Sequence, residues 1–221
     1  MLTIICCAVF LCAADSAVLR WNSTGITIAG IVGNAGHASN QLMMPLSVVL
    51  DYANNLYITD YGNHRIQKYL SGSSIGTTVA GNGTSGSSQY QLQYPHRIIT
   101  NSNTDLYISD GGNHRVQFWR LGDTSGITVA GTTDAWKRIF HSTTSIVLSM
   151  FEGSSGTASD RLNVPYGIAL NPMSNMLYVS DARNHQIMSY RPSNNSGTSV
   201  FSGNGGGTNE TQLDYPTRLY S

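Results

Sequence analysis

Histidine is the residue type in this sequence with the widest chemical capacity, and it recurs in a fixed context. Three Asn-His pairs place His64, His114 and His185 four residues after an aspartate. Neutral imidazole is a common metal ligand, so three equivalent histidines could in principle converge on an ion such as zinc. Metal ligands must lie close together, however, and equivalent positions of a repeat are carried apart with their repeats. We therefore predict a structural role for these histidines, with no metal and no other cofactor.

The same motifs bring acidic and basic side chains close together in the sequence. The aspartates are Asp60, Asp110 and Asp181, and the arginines are Arg65, Arg115 and Arg183. We expect each aspartate to accept N–H bonds within a turn or to pair with its arginine. Gly62, Gly112 and the Asn-His pairs are expected to lie in tight turns, where Gly or Asn adopts a positive φ. If this face binds a partner instead, the candidate contact residues are His64, Arg65, His114, Arg115, Arg183, His185 and, from a separate loop, Trp136.

The sequence carries no catalytic motif that we recognise. His-Glu-x-x-His and paired acidic clusters are missing from it, and the one Gly-x-Ser-x-Gly string, at residues 72–76, leads into a short β-branched run rather than a helix. The remaining histidines, His37, His96 and His141, occur in unlike contexts. The glycine-rich segments 81–86 and 203–207 are not followed by Gly-Lys-Ser/Thr, so they are expected to be turns rather than phosphate-binding loops. We predict a protein that is not an enzyme.

Charged residues are sparse and balanced along the chain. The 221 residues include 12 Lys or Arg and 12 Asp or Glu, which makes 11% of the sequence charged. Such a chain has no strong field to attract phosphates, so we expect neither nucleic-acid binding nor insertion of the folded domain into a membrane. The 23 glycines, together with frequent Asn, Ser and Thr between short apolar runs, indicate many tight turns and an all-β fold.

An internal repeat organises most of the chain. The string Leu-x-x-Pro occurs four times, ending at Pro45, Pro95, Pro165 and Pro216, with spacings of 50, 70 and 51 residues. Each of the first three prolines precedes an apolar run, then Leu-Tyr-Ile/Val-Ser/Thr-Asp, an Asn-His turn and two further short runs. These runs are rich in β-branched and aromatic residues and predict four strands per unit. One four-stranded sheet cannot bury both of its faces, so the pattern favours a ring of sheets packed face to face, a β-propeller.

The repeated strings resemble those of the NHL repeat family. Leu-Tyr-Ile-Ser-Asp at residues 106–110, Gly-Asn-His-Arg-Val-Gln at 112–117 and Val-Ala-Gly at 129–131 look like the NHL repeats of many invertebrate extracellular proteins. The resemblance implies an incomplete propeller of four-stranded blades, with three near-complete blades and partial blades at both ends. NHL propellers are also similar to the substrate-recognition domains of tripartite-motif ubiquitin ligases and to amidating lyases, whose histidine metal ligands lie near the axis.

The two ends match complementary parts of a repeat. Residues 18–21 and 26–30 match third and fourth strands, and residues 213–219 match a first strand. They could close a ring of four blades with one strand missing, or the chain could be part of a larger ring, because NHL propellers by resemblance more often have six blades. We assign residues 18–221 to the propeller. An insertion at 132–152 is either a contact lid that carries Trp136 or a poorly ordered loop.

The N-terminal apolar run bears on where the protein works. We predict that residues 1–17 form a signal peptide or, alternatively, a degenerate strand. Sequons at Asn22, Asn82, Asn194 and Asn209 are compatible with secretion. The expected protein is secreted or lies on the extracellular side of a membrane, with the cytoplasm as the alternative. We expect a scaffold that binds another protein or a glycan; the alternatives are a recognition module of a ubiquitin ligase and a metal-dependent lyase.

Overall fold

The computed structural model describes residues 25–131, 156–191, 196–202, 206–208, 210 and 212–219, and within them it is built from three antiparallel sheets of four strands. Blade 1 contains β1 (Pro45–Leu50), β2 (Leu56–Asp60), β3 (Arg65–Tyr69) and β4 (Gly76–Ala80). Blade 2 contains β5 (Pro95–Thr100), β6 (Leu106–Asp110), β7 (Arg115–Trp119) and β8 (Ile127–Ala130). Blade 3 contains β9 (Pro165–Leu170), β10 (Leu177–Asp181), β11 (Gln186–Tyr190) and β12 (Thr198–Ser202). The prediction of an all-β fold with four-stranded blades is confirmed.

The first strand of each blade lies on the inside of the array. β1 contacts β5, and β5 contacts β9, so the three first strands surround a common axis. Because neighbouring strands are antiparallel, the hairpins between first and second strands lie at one end of this axis. The turns between second and third strands lie at the other end. These turns are single 3-10 turns at Tyr61–Asn63, Gly111–Asn113 and Ala182–Asn184.

Apolar side chains pack between neighbouring blades. Successive residues of a strand point to opposite faces, so Tyr57 of β2 packs towards blade 2 while Leu56 and Ile58 pack on the other side. Between blades 1 and 2 the buried side chains are Tyr57, Ile66, Ala80, Leu92, Ile98, Leu106, Ile108 and Trp119. Between blades 2 and 3 they are Val116, Ala130, Leu162, Ile168, Leu177, Val179, Met188 and Tyr190. Each blade therefore depends on its neighbours to bury its apolar faces.

A hydroxyl group near the end of the second strand also joins neighbouring blades. Ser109 Oγ accepts the N–H of Arg97 at 2.8 Å, where the register of β5 is irregular. The same hydroxyl donates to the carbonyl of Tyr166 in blade 3 at 2.9 Å. In blade 1, Thr59 Oγ1 accepts the N–H of Ser47 at 2.7 Å. These bonds fix the positions of the first strands around the axis.

The segments at the two ends of the described chain pack beside the outer blades without forming strands. Ile28 and Ala29 lie on the side of blade 1 that faces away from blade 2. The backbone of residues 217 and 219 lies against Gly167 of β9, where a first strand of another blade would run. Among the described residues no strand ladder joins segments 26–30 and 213–219. The arrangement is open, and a closed ring of four blades is not formed there.

The exposure of one first-strand position shows where the array is open. Val48 of β1 is 39% exposed, whereas its equivalents Ile98 and Ile168 are 2% and 1% exposed. The two inner positions are covered by the preceding blade. The flank of blade 1 has only the short segment 26–30 beside it in the described part of the chain.

Several sequence predictions concern residues outside the described ranges. They are the leader at residues 1–17, the strand at 18–21, the insertion at 132–152 with Trp136, and the sequons at Asn22, Asn194 and Asn209. Within the described ranges, the structure contains no helix whose length and hydropathy would allow it to cross a membrane.

Candidate binding face

A buried aspartate ends the second strand of each blade and organises the turn that follows. In blade 2, Asp110 Oδ1 accepts the N–H of Gln93 at 2.6 Å. Its Oδ2 accepts bonds from Asn113 Nδ2 and Arg115 Nε, each at 2.8 Å. In blade 1 the same three donors come from Met43, Asn63 and Arg65, all bonded to Asp60. A buried carboxylate is tolerated here because both of its oxygens are hydrogen-bonded.

The arginine of this network also holds the loop that leads into the first strand of its own blade. Arg115 is only 8% exposed. Its Nη1 donates to the carbonyl of Ser87 at 2.7 Å, and its Nη2 donates to those of Ser88 and Gln91, both at 3.1 Å. Arg65 makes the equivalent contacts in blade 1. The observed contacts of both arginines lie within the scaffold, and their role in binding a partner stays a prediction.

Blade 3 differs from the expected pairing. We expected Arg183 to pair with Asp181, and this is wrong. Gln186 stands at the position of Arg115 and donates from Nε2 to Asp181 Oδ2 at 2.8 Å. Arg183 occupies the turn position that Gly112 has in blade 2. Burial raises the pKa of Asp181, and hydrogen bonds from neighbouring amides oppose that shift only in part.

Histidine, and not glycine, takes the left-handed backbone position of each turn. The φ angles of His64, His114 and His185 are 53°, 55° and 54°. The expectation of a positive φ at the glycine or asparagine of these turns is therefore wrong. Histidine is one of the few residue types other than glycine that adopt this region with any frequency. The turn thus uses the histidine backbone to reverse the chain and leaves the imidazole free to reach the next blade.

Each repeat histidine forms a hydrogen bond across the boundary between repeats. In every case the imidazole Nδ1 accepts a backbone N–H from the residue that precedes the next repeat's proline. The pairs are His64 with Tyr94 at 3.1 Å, His114 with Val164 at 3.0 Å and His185 with Tyr215 at 3.2 Å. An accepting Nδ1 requires the neutral tautomer with its proton on Nε2. Burial lowers the pKa of His64 and of His114, which favours this neutral form.

Four aromatic side chains from all three blades meet near the axis at the turn end. The ring centroid of Tyr61 lies 5.0 Å from that of Tyr94 and 5.6 Å from that of His96. The His96 ring stacks on Tyr166 of β9, with centroids 4.4 Å apart and 23° between the planes. We call Tyr61, Tyr94, His96 and Tyr166 the aromatic cluster.

The aromatic cluster is uncharged at neutral pH. Burial raises the pKa of Tyr61, and the nearby hydroxyls of Tyr94, Tyr166 and Tyr215 raise it further. Burial lowers the pKa of His96, whose Nδ1 lies 3.3 Å from the carbonyl of Pro165. Within the described residues, the tyrosine hydroxyls of the cluster have no hydrogen-bond partner. These groups are therefore free to donate to or accept from a ligand.

Sequence reasoning considered His96 but missed the three tyrosines of the cluster. Tyr61 corresponds to Gly111 and Ala182 in the other blades, so the repeat itself does not require an aromatic residue there. The available signal was a large aromatic side chain at a position where other repeats carry a small one. A pattern shared by all repeats does not reveal the positions at which the repeats differ.

A cavity of about 590 Å³ lies at the opposite end of the axis, between the hairpins that join first and second strands. Asp51 and Asn101 line it. Asp51 Oδ1 accepts the N–H groups of Ala53 and Asn55, both at 2.9 Å, so this carboxylate closes its own turn. Asn101 does the same in blade 2. The polar groups of the cavity are thus largely occupied by the scaffold.

The described residues contain no group of three His, Cys, Asp or Glu side chains that could hold a metal ion. The repeat histidines belong to separate blades, and each accepts a backbone N–H through Nδ1. Trp136, the remaining candidate contact residue, lies outside the described ranges.

The comparison with protein families fits this geometry. Residues 42–69 match the family model described as NHL repeat. Residues 42–69 are an NHL repeat, in a chain whose three sheets are β-propeller blades. The matched residues run from the loop before β1 to the end of β3, so they contain Asp60, Asn63 and Arg65. The buried network of the turn therefore lies within the matched repeat.

One solved structure shows the same fold at low sequence identity. A structural genomics protein of unknown function from Bacteroides thetaiotaomicron VPI-5482 matches 79% of this chain and 41% of its own, with 16% identity and a TM-score of 0.54. An auxiliary nutrient binding protein from the same organism matches with 16% identity, 78% and 41% coverage and a TM-score of 0.49. A chain of a nidogen/laminin complex matches with 14% identity, 71% and 48% coverage and a TM-score of 0.48.

The chain spans less than half the length of these solved chains. The first likeness shows the fold alone. No curated protein matches the sequence at a significant level.

Proposed function

We propose that the protein is a non-enzymatic binding module and that its ligand binds at the aromatic cluster. The observation that carries this proposal is the meeting of Tyr61, Tyr94, His96 and Tyr166 at the turn end of the axis. Tyrosine is common in binding surfaces because it combines a large rigid apolar face with a polar hydroxyl. Here the hydroxyls make no hydrogen bond within the described residues and are not buried, so they are accessible to a ligand.

The position of the cluster also supports binding rather than scaffold support. Tyr94 is 42% exposed, and so is Tyr215 beside it. The scaffold of the same face is complete without them, because the aspartate network and the repeat histidines hold the turns. Exposed aromatic side chains grouped at one place on a water-facing surface cost free energy of hydration unless something covers them.

The ligand proposed for this face is a protein or a glycan and not a nucleic acid. The chain has a formal net charge of zero. In the described residues the cation–π contact is Lys68 over Tyr57, which lies away from the cluster. A site that holds single-stranded nucleic acid normally combines stacking rings with a basic groove. We also propose an extracellular location, on the basis of the N-terminal apolar run and the sequons.

Arrays of printed glycans and of purified extracellular protein domains test the proposal directly. The two test variants, Tyr61→Ala and Tyr94→Val, install residues that the chain itself carries at the equivalent positions Ala182 and Val164. We expect both to lose the array signal of the unmodified protein. The matched control is Tyr52→Ala, which removes an 89% exposed tyrosine near the opposite end of the axis. A signal that survives both test variants, or no signal on either array, contradicts the proposal.

Metal analysis of the purified chain tests the non-enzymatic part of the proposal. We expect no stoichiometric zinc. Zinc bound at one ion per chain and released by His96→Leu would contradict this. Leucine is chosen for the variant because Leu46 occupies the equivalent position of blade 1. That result would favour a lyase-like reading of the same face.

A further inference from the structure

We infer that the ligand of the aromatic cluster is a carbohydrate, bound with a pyranose ring against the tyrosine faces. This inference rests on the proposed function and names its ligand class. It is carried by the ring geometry, by the free hydroxyls and by the size and charge of the site.

The ring geometry suits a small cyclic ligand. Tyr61 and Tyr94 are tilted by 36° relative to each other, and His64 meets Tyr94 edge-on at 69° with centroids 4.6 Å apart. Tyr61 and His96 are tilted by 42°. Rings inclined in this way do not form one flat platform. A pyranose presents a face of weakly positive C–H groups, which is attracted to the negative face of an aromatic ring.

The polar groups of the cluster match the rim of a sugar. A pyranose carries hydroxyl groups around its edge that both donate and accept hydrogen bonds. Tyrosine hydroxyls have the same dual capacity. Those of Tyr61, Tyr94 and Tyr166 are without a partner in the part of the chain that the structure describes. In the same sheets, Tyr57 and Tyr69 donate to Asp51 and to the carbonyl of Ser39, whereas the buried hydroxyl of Tyr190 has no partner among the described residues.

The small area of the cluster argues against a protein surface as its main ligand. A stable protein interface buries about 800 Å² on each partner. Fully burying one tyrosine covers about 150–250 Å². The rings of the cluster already cover one another, and Tyr61, His96 and Tyr166 are each only partly exposed. The remaining free surface of the cluster is therefore smaller than about 800 Å² and suits a ligand of one or two rings.

The charges around the cluster argue against a cationic ligand. Aromatic sites that bind organic cations gain from a nearby unpaired carboxylate. Asp60, the carboxylate next to Tyr61 in sequence, is completely buried and paired with Arg65 at 2.8 Å. Asp110 is paired with Arg115 in the same way. The aspartates of blades 1 and 2 that lie nearest the cluster in sequence are thus compensated within the scaffold, whereas Asp181 of blade 3 is bonded to amide groups.

Saturation-transfer NMR and calorimetry with defined oligosaccharides test the inference. The probes are tetrasaccharides of glucose, mannose, galactose and N-acetylglucosamine at up to about 10 mM, since single sugar sites often bind in the millimolar range. Tetramethylammonium and a proline-rich peptide serve as the cation and peptide probes. We expect at least one tetrasaccharide to bind. Tyr61→Ala and Tyr94→Val should each weaken that binding by about two- to tenfold, and Tyr61→Phe by less, because it keeps the ring.

The outcomes separate this inference from the proposed function. Tyr52→Ala should bind the sugar as the unmodified protein does, and the melting temperature of each variant shows whether it is folded. No tetrasaccharide binding, or sugar binding that is unchanged in Tyr61→Ala and Tyr94→Val, overturns the inference. Binding of the peptide or of tetramethylammonium that Tyr61→Ala abolishes overturns the carbohydrate assignment but leaves a binding module in place. If no tested ligand binds in a way that depends on Tyr61 or Tyr94, both the carbohydrate inference and the proposed binding function are overturned.

Discussion

Replacing Asp110 with asparagine should strongly destabilise the protein. The substitution keeps the size of the side chain but removes the charge that is paired with Arg115 at 2.8 Å. Arg115 is only 8% exposed, and its other donors hold the carbonyls of Ser87, Ser88 and Gln91, so the guanidinium cannot turn to water without releasing the loop. Breaking a buried ion pair by removing one partner costs about 3–5 kcal/mol. We expect a loss of unfolding free energy in that range.

The chain supplies its own control for this experiment. In blade 3, Gln186 takes the place of the arginine and bonds to Asp181 at 2.8 Å. Arg115→Gln should therefore keep one bond to Asp110 and lose those to the loop carbonyls, which gives a smaller loss of about 1–3 kcal/mol. The double variant Asp110→Asn with Arg115→Gln removes the unpaired charge. Its loss of unfolding free energy should be smaller than the sum of the two single losses by at least about 1 kcal/mol.

Equilibrium urea unfolding followed by circular dichroism and by fluorescence measures these differences, and coincident transitions establish that a single free energy describes them. The reasoning would be refuted by a loss below about 1 kcal/mol for Asp110→Asn. It would also fail if the two substitutions proved additive, because additivity means that the charges do not interact.

Three further predictions concern the histidines, the axial packing and glycosylation. Burial lowers the pKa of His64 and His114 in the folded protein. Their contribution to stability is therefore complete above the pKa of the unfolded state, about 6.5, and is lost as the pH falls below that value. His114→Asn should flatten the pH dependence of urea unfolding between about pH 7 and 5. Gly111→Ala should cost about 1–3 kcal/mol because its Cβ would overlap the His96 ring, and adding His96→Leu should recover most of the melting temperature. Expression through a secretory pathway should give a glycosidase-sensitive mass at Asn82, which is exposed, and Asn82→Gln should remove it; an unmodified secreted chain would count against glycosylation there.

The strands and blades were predictable from the sequence because every repeat carries the same pattern of residues. Three copies of Leu-Tyr-Ile/Val-Ser/Thr-Asp gave the second strands, and the predicted end of each at Asp60, Asp110 and Asp181 is the observed one. The alternation of burial in a strand follows from chain geometry and needs no knowledge of the neighbours. The repeat pattern does not predict whether the end segments pair, because that depends on which surfaces lie beside the outer blades.

The turn chemistry was predicted only in part. The aspartate was assigned correctly as an acceptor of turn N–H bonds and a partner of arginine in blades 1 and 2. The positive φ was assigned to glycine or asparagine because these residues adopt it at low steric cost. The histidine takes it instead, since only the residue at that position can both reverse the chain and aim an imidazole at the N–H of the next repeat. Such a bond joins residues 30 or more positions apart, such as His64 and Tyr94, and no local pattern reveals it.

The repeat separates the residues that make the scaffold from those that are free to make a site. The aspartate, asparagine and histidine of each turn recur because each blade needs the same hydrogen bonds. The residue after the aspartate is Tyr61 in blade 1, Gly111 in blade 2 and Ala182 in blade 3, so the backbone accepts very different side chains there. The residue after the proline varies similarly, with His96 and Tyr166 in adjacent blades. Both positions lie at the turn end of the axis, where the propeller geometry brings different blades together. A fold of this kind can therefore change its ligand through these positions while the buried networks that stabilise it stay the same.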